Sequence, residues 1–296
     1  MKKNKPIPAD TRECLKTVTA NSFVTACGLE KISLKARKLL YLAISQCKRT
    51  DKQFYEYSIS ALEFANLMEI SASNVYAEAD KITDELMHGF ITQRKESKKP
   101  TFSKYHLFSK CEYTEDANLV FKLNPDMTEF LLELKGNFCQ PLLDDFVKMN
   151  SPYSMAIWHL IQMKTKSKKP GIVDVIEFDL FLEELREVTG TEDKLKQLVE
   201  FKRRVFDKAL REIKENCSVE ITYTNIKKGR SVVGFRCRAV SVFHVDEADI
   251  PKHVRDKAEL FKLKQKAKKG EMTAEEREAY DRLIVGAEQM ELFQEG

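Results

Sequence analysis

Between Lys194 and Lys214 stand Lys194, Lys196, Lys202, Arg203, Arg204, Lys208, Arg211 and Lys214 against Glu200, Asp207 and Glu212, a net +5 in one short segment. Lys227, Lys228, Arg230, Arg236 and Arg238 follow with no acid among them. Arg94, Lys95, Lys98, Lys99 and Lys104 enclose only Glu96, and Lys164, Lys166, Lys168 and Lys169 form a fourth run. A guanidinium donates paired hydrogen bonds to phosphate or to a base edge, whereas an ammonium is a point charge suited to phosphate. The whole chain is nearly balanced, with 50 Lys and Arg against 46 Asp and Glu and a net charge of +4. Basic clusters in such a chain point to a polyanion partner.

Other chemistries lack their residues. The nearest approach to a phosphate-cradling G-x-x-x-x-G-K-[ST] loop is Gly229 to Gly234, followed by Phe235 and Arg236, so both the lysine and the metal-binding hydroxyl are missing. The five histidines (88, 106, 159, 244, 253) are isolated, and no H-x-H, H-E-x-x-H or G-x-S-x-G occurs. His159 lies in an apolar helix and reads as a core or boundary residue. The seven cysteines (14, 27, 47, 111, 139, 217, 237) show no C-x-x-C spacing and read as small core residues rather than a disulfide or zinc framework. No catalytic residue, metal or cofactor is expected. With no apolar run of 18 residues and no apolar stretch after the basic start MKKNKPIPADTRE, a cytoplasmic location with no membrane contact is expected.

The elements that must position the basic residues repeat one order twice over 296 residues. Leu34–Cys47 reads as a helix and residues 54–59 as a strand. Ser60 with Glu63 forms a capping box for the helix ALEFANLM. A further helix starts near Ser71 or Ser73, stacks Val75, Ala79, Ile82 and Leu86, and ends at Gly89. Strand-like segments follow at 90–94, 105–113 and 119–123, with a long basic loop read as the wing. After short helices at 126–134 and 142–149, Asn150-Ser151-Pro152 is a natural boundary. The second half runs through an apolar helix with the only tryptophan, Trp158, a strand at 175–178, a helix capped by Asp179 and ended by Gly190, a long helix over 195–215, and strands at 219–225 and 232–243. Helix, strand, helix, helix, hairpin is the order of a winged helix. The expectation is an α+β fold of two tandem winged-helix domains with a charged C-terminal tail: residues 1–150, 151–250 and the tail 251–296.

On a wheel at 100° per residue, Leu195, Leu198, Val199, Phe201, Val205, Phe206, Ala209, Leu210 and Ile213 fall in one half of the long helix. The charged residues fall in the other half, except Lys202, which has to snorkel out of the apolar sector. A second helix with this partition suits the major groove of duplex DNA. Lys196, Gln197, Arg203 and Arg204 are expected near base edges, and Lys208, Arg211, Lys227, Lys228 and Arg230 on phosphates, with Lys202 also expected among the DNA-binding residues. The equivalent helix of the first half carries one basic residue, Lys81, against Glu78, Asp80, Asp84 and Glu85. That half is expected to bind DNA less strongly, through Ser73 and Asn74 at the helix start, beside Tyr76, and through Lys95, Lys98 and Lys99 of its basic loop, or to serve mainly for dimerisation.

The runs FKLNPDMTEFLLELKGNF (121–138), MNSPYSMAIWHLIQMK (149–164) and FKRRVFDKALREI (201–213) resemble the iteron-binding plasmid replication initiators built from two winged-helix domains. The resemblance spans about residues 15–245. It implies binding to direct repeats at a plasmid origin as a monomer, help in opening the duplex, recruitment of host replication proteins, autorepression as a homodimer through N-terminal contacts, and assistance from chaperones. It implies no catalytic residues.

The tail adds eight basic and two acidic residues over 252–269, then two basic and eight acidic over 271–296. Thr273 to Glu276 can start a helix. Gln289, Met290, Leu292 and Phe293 lie in a pentapeptide that looks like the one by which bacterial proteins bind the polymerase sliding clamp, two apolar side chains filling a pocket beside an oriented amide. The alternatives are an autonomous dimeric repressor, which would bind an inverted repeat, and a strand-nicking enzyme, which would need a metal site and a nucleophile.

Overall fold

The computed structural model describes residues 15–48, 51–95, 99–132, 134–166 and 175–241, with residues 263, 273–274 and 276–281 of the tail. The chain begins with strand β1 (Thr19–Ala20), helix α1 (Asn21–Val24) and helix α2 (Leu34–Ser45). Ser33 caps α2 by accepting from the Ala36 amide. Strand β2 (Tyr57–Ser60) leads into α3 (Ala61–Met68), where Ser60 and Glu63 form the expected reciprocal box. Helix α4 (Val75–His88) buries the expected Val75, Ala79, Ile82 and Leu86.

The strands after α4 depart from the sequence reading. Strands β3 (Phe90–Lys95) and β4 (Thr101–His106) form a two-stranded ribbon of their own. Strands β5 (Phe108–Tyr113) and β6 (Asn118–Leu123) form the wing, and with β2 they make a sheet of order β2-β6-β5. The expected strand 105–113 is therefore two strands, broken at the buried Leu107. The basic loop belongs to the ribbon rather than to the wing. The base of the ribbon is tied down by paired bonds between Cys27 and Thr92, at 3.1 and 2.6 Å. Beside them Gly28 has φ 128, and a Cβ there would come within 2.1 Å of the Phe90 carbonyl oxygen, so only glycine permits the approach.

Helices α5 (Thr128–Leu131) and α6 (Leu143–Val147), with strand β7 (Phe138–Cys139) paired to β1, close the first module. Both helices are shorter than the sequence suggests.

Helix α7 (Pro152–Lys164) is buried from Ser154 to Gln162 because it serves two cores. One side meets Phe23, Tyr41 and Phe146 of the first module through His159. The other meets the helices of the second. His159 Nε2 lies 2.8 Å from Thr19 Oγ1 and Nδ1 3.1 Å from Tyr41 Oη. Burial, with the nearby Arg37 charge, pushes its pKa down to about 3, so it is a neutral core residue. Arg37 is itself only 2% exposed and donates to the carbonyls of Leu29 and Pro152 at 2.8 and 2.9 Å. Residues 1–169 and 177–238 accordingly form one compact unit.

The second module runs β8 (Val175–Phe181), α8 (Leu182–Thr189), α9 (Leu198–Phe201), a π-helical segment (Lys202–Phe206), α10 (Asp207–Cys217), β9 (Val219–Lys228) and β10 (Ser231–Ser241). Its sheet order is β8-β10-β9. Asp179 does not cap α8 as expected; it lies within β8 and pairs with Arg236 at 3.0 Å. A second unit comprises 170–176 and 239–296. There Thr273 and Glu276 make the reciprocal bonds of a helix start, at 3.1 and 3.3 Å.

Candidate nucleic-acid interface

The long helix expected over 195–215 is shorter and of two kinds. Leu195 has a positive φ of 50, Gln197 is the extended N-cap, and the helix begins at Leu198. Arg186 of α8 holds the lead-in loop. Its Nη1 donates to the carbonyls of Thr191 and Lys194 at 3.0 and 3.1 Å, and Nη2 to those of Leu195 and Lys196 at 3.0 and 3.3 Å. Its guanidinium also lies 4.7 Å from the Phe201 ring centroid. Sequence reasoning missed Arg186, since no local spacing marks a residue whose partners are backbone carbonyls five to ten positions later.

The π-helical segment re-phases the helix. Counted at 100° per residue from Phe201, the buried Phe201 and Val205 centre at about 20°, whereas Phe206, Ala209, Leu210, Ile213 and Cys217 centre at about 140°. The offset is close to the rotation of one residue, which a single widened turn inserts. One continuous wheel merges the two phases. It therefore placed Val199 on the apolar face, whereas Val199 is 74% exposed. The phase slip is readable in the sequence if each half of the helix is counted separately.

The outward face carries Arg203 and Arg204, 65% and 60% exposed, with Lys208 and Arg211 also exposed beyond them. Glu200 binds both arginines, Arg203 at 3.0 Å and Arg204 at 2.7 Å. The hydrogen bond from Arg203 holds the Glu200 carboxyl below the usual carboxylate range. Lys202 turns the other way: its ammonium lies 4.8 Å from the Tyr223 ring centroid and 5.8 Å from that of Phe235. Phe206 stacks on Phe235 at 4.5 Å, and Tyr223 donates to Asp207 at 2.6 Å, which bolts the helix to the wing strands.

Lys196 and Gln197 are exposed just ahead of the helix. Lys227 and Lys228 end β9 and Arg230 follows Gly229 in the turn, all exposed, so the wing tip is cationic. Gly229 takes φ 62, the left-handed conformation the tight turn needs. Of the remaining basic runs, Lys164 is held by Glu184 at 2.5 Å.

In the first module, Ser73 and Asn74 are exposed in a 3-10 turn that starts α4, next to the exposed Tyr76. Lys35 of α2 pairs with Glu78 of α4 at 2.8 Å. Lys95 ends β3 and Lys99 precedes β4. Lys104 lies over the rings of Phe90 and Phe102 at 5.0 and 5.7 Å. Lys98, and Gln289, Met290, Leu292 and Phe293 of the tail, lie outside the described residues. Among the described residues no cluster of three or more His, Cys, Asp or Glu could hold a metal, and no helix is long and apolar enough to cross a membrane.

Residues 16–162 match the family model of the first winged-helix domain of initiator replication proteins, and residues 182–237 match that of the second. Among solved structures, the Pi initiator protein in complex with iteron DNA is similar at 21% identity and a TM-score of 0.63, covering 79% of this chain and 99% of that one. Two weaker likenesses are the WH1 domain of the replication protein MSBI1.176 (14% identity, 33% and 76% coverage, TM-score 0.27) and domains 2 and 3 of RctB (9%, 71% and 81%, 0.42). Neither carries weight at those scores.

Proposed function

The chain belongs to the family of winged-helix initiator replication proteins, and from that premise we propose that it initiates replication of a plasmid by binding direct repeats, iterons, at the origin. One observation carries the reading: the exposed stripe Arg203, Arg204, Lys208 and Arg211 on the second helix of the second module, beside the cationic wing tip Lys227, Lys228 and Arg230. Helix and wing together match a duplex, the helix at base edges in the major groove and the wing on phosphates. The DNA of the Pi complex belongs to that protein and supports the same ligand here. Lys202 is a DNA contact set back from this stripe, its ammonium 4.8 Å from the Tyr223 ring centroid and 5.8 Å from that of Phe235. The first module contributes auxiliary contacts through Ser73, Asn74, Lys95, Lys98 and Lys99 and the surface for homodimers, which repress the chain's own promoter. Monomers open adjacent A·T-rich duplex and recruit host replication proteins, the sliding clamp through residues 289–293 among them, with chaperones converting dimer to monomer. No chemical step and no cofactor enters this reading.

Footprinting on the DNA that encodes the chain tests it. Periodic protection over direct repeats, with distortion in a neighbouring A·T-rich stretch, is expected. Protection of only an inverted repeat at a promoter would replace it with a dimeric repressor.

A further inference from the structure

The first turn of the second module's recognition helix presents an apolar side chain that the core does not use. Val199 is the most exposed large apolar side chain among the described residues, at 74%. The π-helical segment at Lys202–Phe206 accounts for this, since it turns the core-facing residues that follow away from the Val199 direction. Val199 stands one helical turn before Arg203, on the same outward stripe, and two positions after the N-cap Gln197. A hydrocarbon held in water beside Arg203, Arg204 and the Glu200 that pairs with them loses the burial that an apolar group favours. The surface around it already selects what can cover it. Arg203, Arg204 and Lys196 call for a polyanion, and the edge of duplex DNA offers one apolar group in its major groove, the C5-methyl of thymine.

We propose that Val199 is a specificity-determining residue that packs on the methyl group of one thymine within the recognised repeat, next to the base that Arg203 reads. The proposal rests on the initiator reading above. Its chemistry favours thymine over cytosine at that base position. Valine has no donor or acceptor, so cytosine there would lose the hydration of its amino group with nothing in return. The β-branched side chain has few rotamers to lose when it is covered, so a methyl contact is gained at small entropic cost. Burial of one methyl corresponds to about a fourfold change in affinity.

The test uses the full chain and a duplex carrying one footprinted repeat, with each thymine replaced in turn by deoxyuridine, which removes only the methyl. Wild type is expected to lose about fourfold in affinity at one thymine, and Val199→Ala to lose nothing further at that same thymine while keeping its preference for the repeat over scrambled DNA. Because Val199 is exposed, the alanine variant should unfold at the wild-type denaturant midpoint, so a binding change is not a folding change. If no thymine shows a uracil penalty that the alanine variant loses, while both proteins still prefer the repeat, the inference fails alone. If wild type binds repeat and scrambled DNA equally, the initiator reading fails and takes the inference with it.

Discussion

Glu200 accepts from both Arg203 and Arg204, so base reading by either arginine competes with a carboxylate on the neighbouring turn. Replacing Arg203 by alanine should cost about 1–3 kcal/mol on the specific repeat and much less on random DNA. Equal losses on the two would remove its base-reading role. Lys228→Ala should weaken both and flatten the dependence of log affinity on log salt by about one counterion, measured by titration at several salt concentrations. His159 carries a different residue-scale consequence. Its folded pKa, about 3, lies below the ordinary value of 6.5. The unfolded chain therefore takes up the proton first. The stability from the neutral, buried ring is fully present above pH 6.5 and declines as pH falls towards 3, by up to about 1.4 kcal/mol per pH unit. Denaturation midpoints of His159→Gln over pH 4–7 should show a shallower slope than wild type; identical slopes would assign the effect to other groups.

At the scale of elements, the recognition helix is aimed by a loop it does not contain. Arg186 gathers four carbonyls of residues 191–196 and covers the Phe201 ring, and this sets where Gln197 ends the loop and α9 begins. Arg186→Gln should lower affinity for the repeat about tenfold or more, because a misplacement of about 1 Å in an oriented contact is costly. It should leave the salt slope unchanged, since Arg186 is given no phosphate to hold. A change of one counterion in that slope would instead mean that Arg186 touches DNA. The helix signals of α3 and α4 were legible in the sequence, because a capping box and a buried i, i+4, i+7 stripe are local properties. The ribbon β3–β4 was not. Whether a basic hairpin belongs to a wing or stands apart depends on which strand pairs with β2, a contact between residues about 60 positions apart.

For the whole molecule, α7 makes the two modules share a core. Trp158, the only tryptophan, sits in that helix and donates to Asp145 at 3.2 Å, so its fluorescence reports the junction. Arg37→Ala leaves the carbonyls of Leu29 and Pro152 without their charged donor and should cost about 3 kcal/mol or more. In urea, Trp158 fluorescence and far-ultraviolet circular dichroism should move in one transition. Two separated transitions would show that the modules unfold independently. Deleting residues 289–296 should spare repeat binding and abolish sliding-clamp binding; undiminished clamp affinity would dispose of the tail motif.

The sequence by itself determined the order of the main helices, the core stripes of α4 and α10, the cationic bias of the second module and, through three long runs, the family. Each is carried by neighbours along the chain: periodicity, caps and charge counts need no partner from elsewhere. Only the tertiary structure decided which of the basic residues stay outward. Lys202 went to the Tyr223 and Phe235 rings, Lys164 to Glu184, and Val199 out of the core, because a widened turn and distant partners override a single helical period. It also decided that one helix closes two modules, which follows from burial on both sides of α7 and is invisible in a segment that simply reads as apolar.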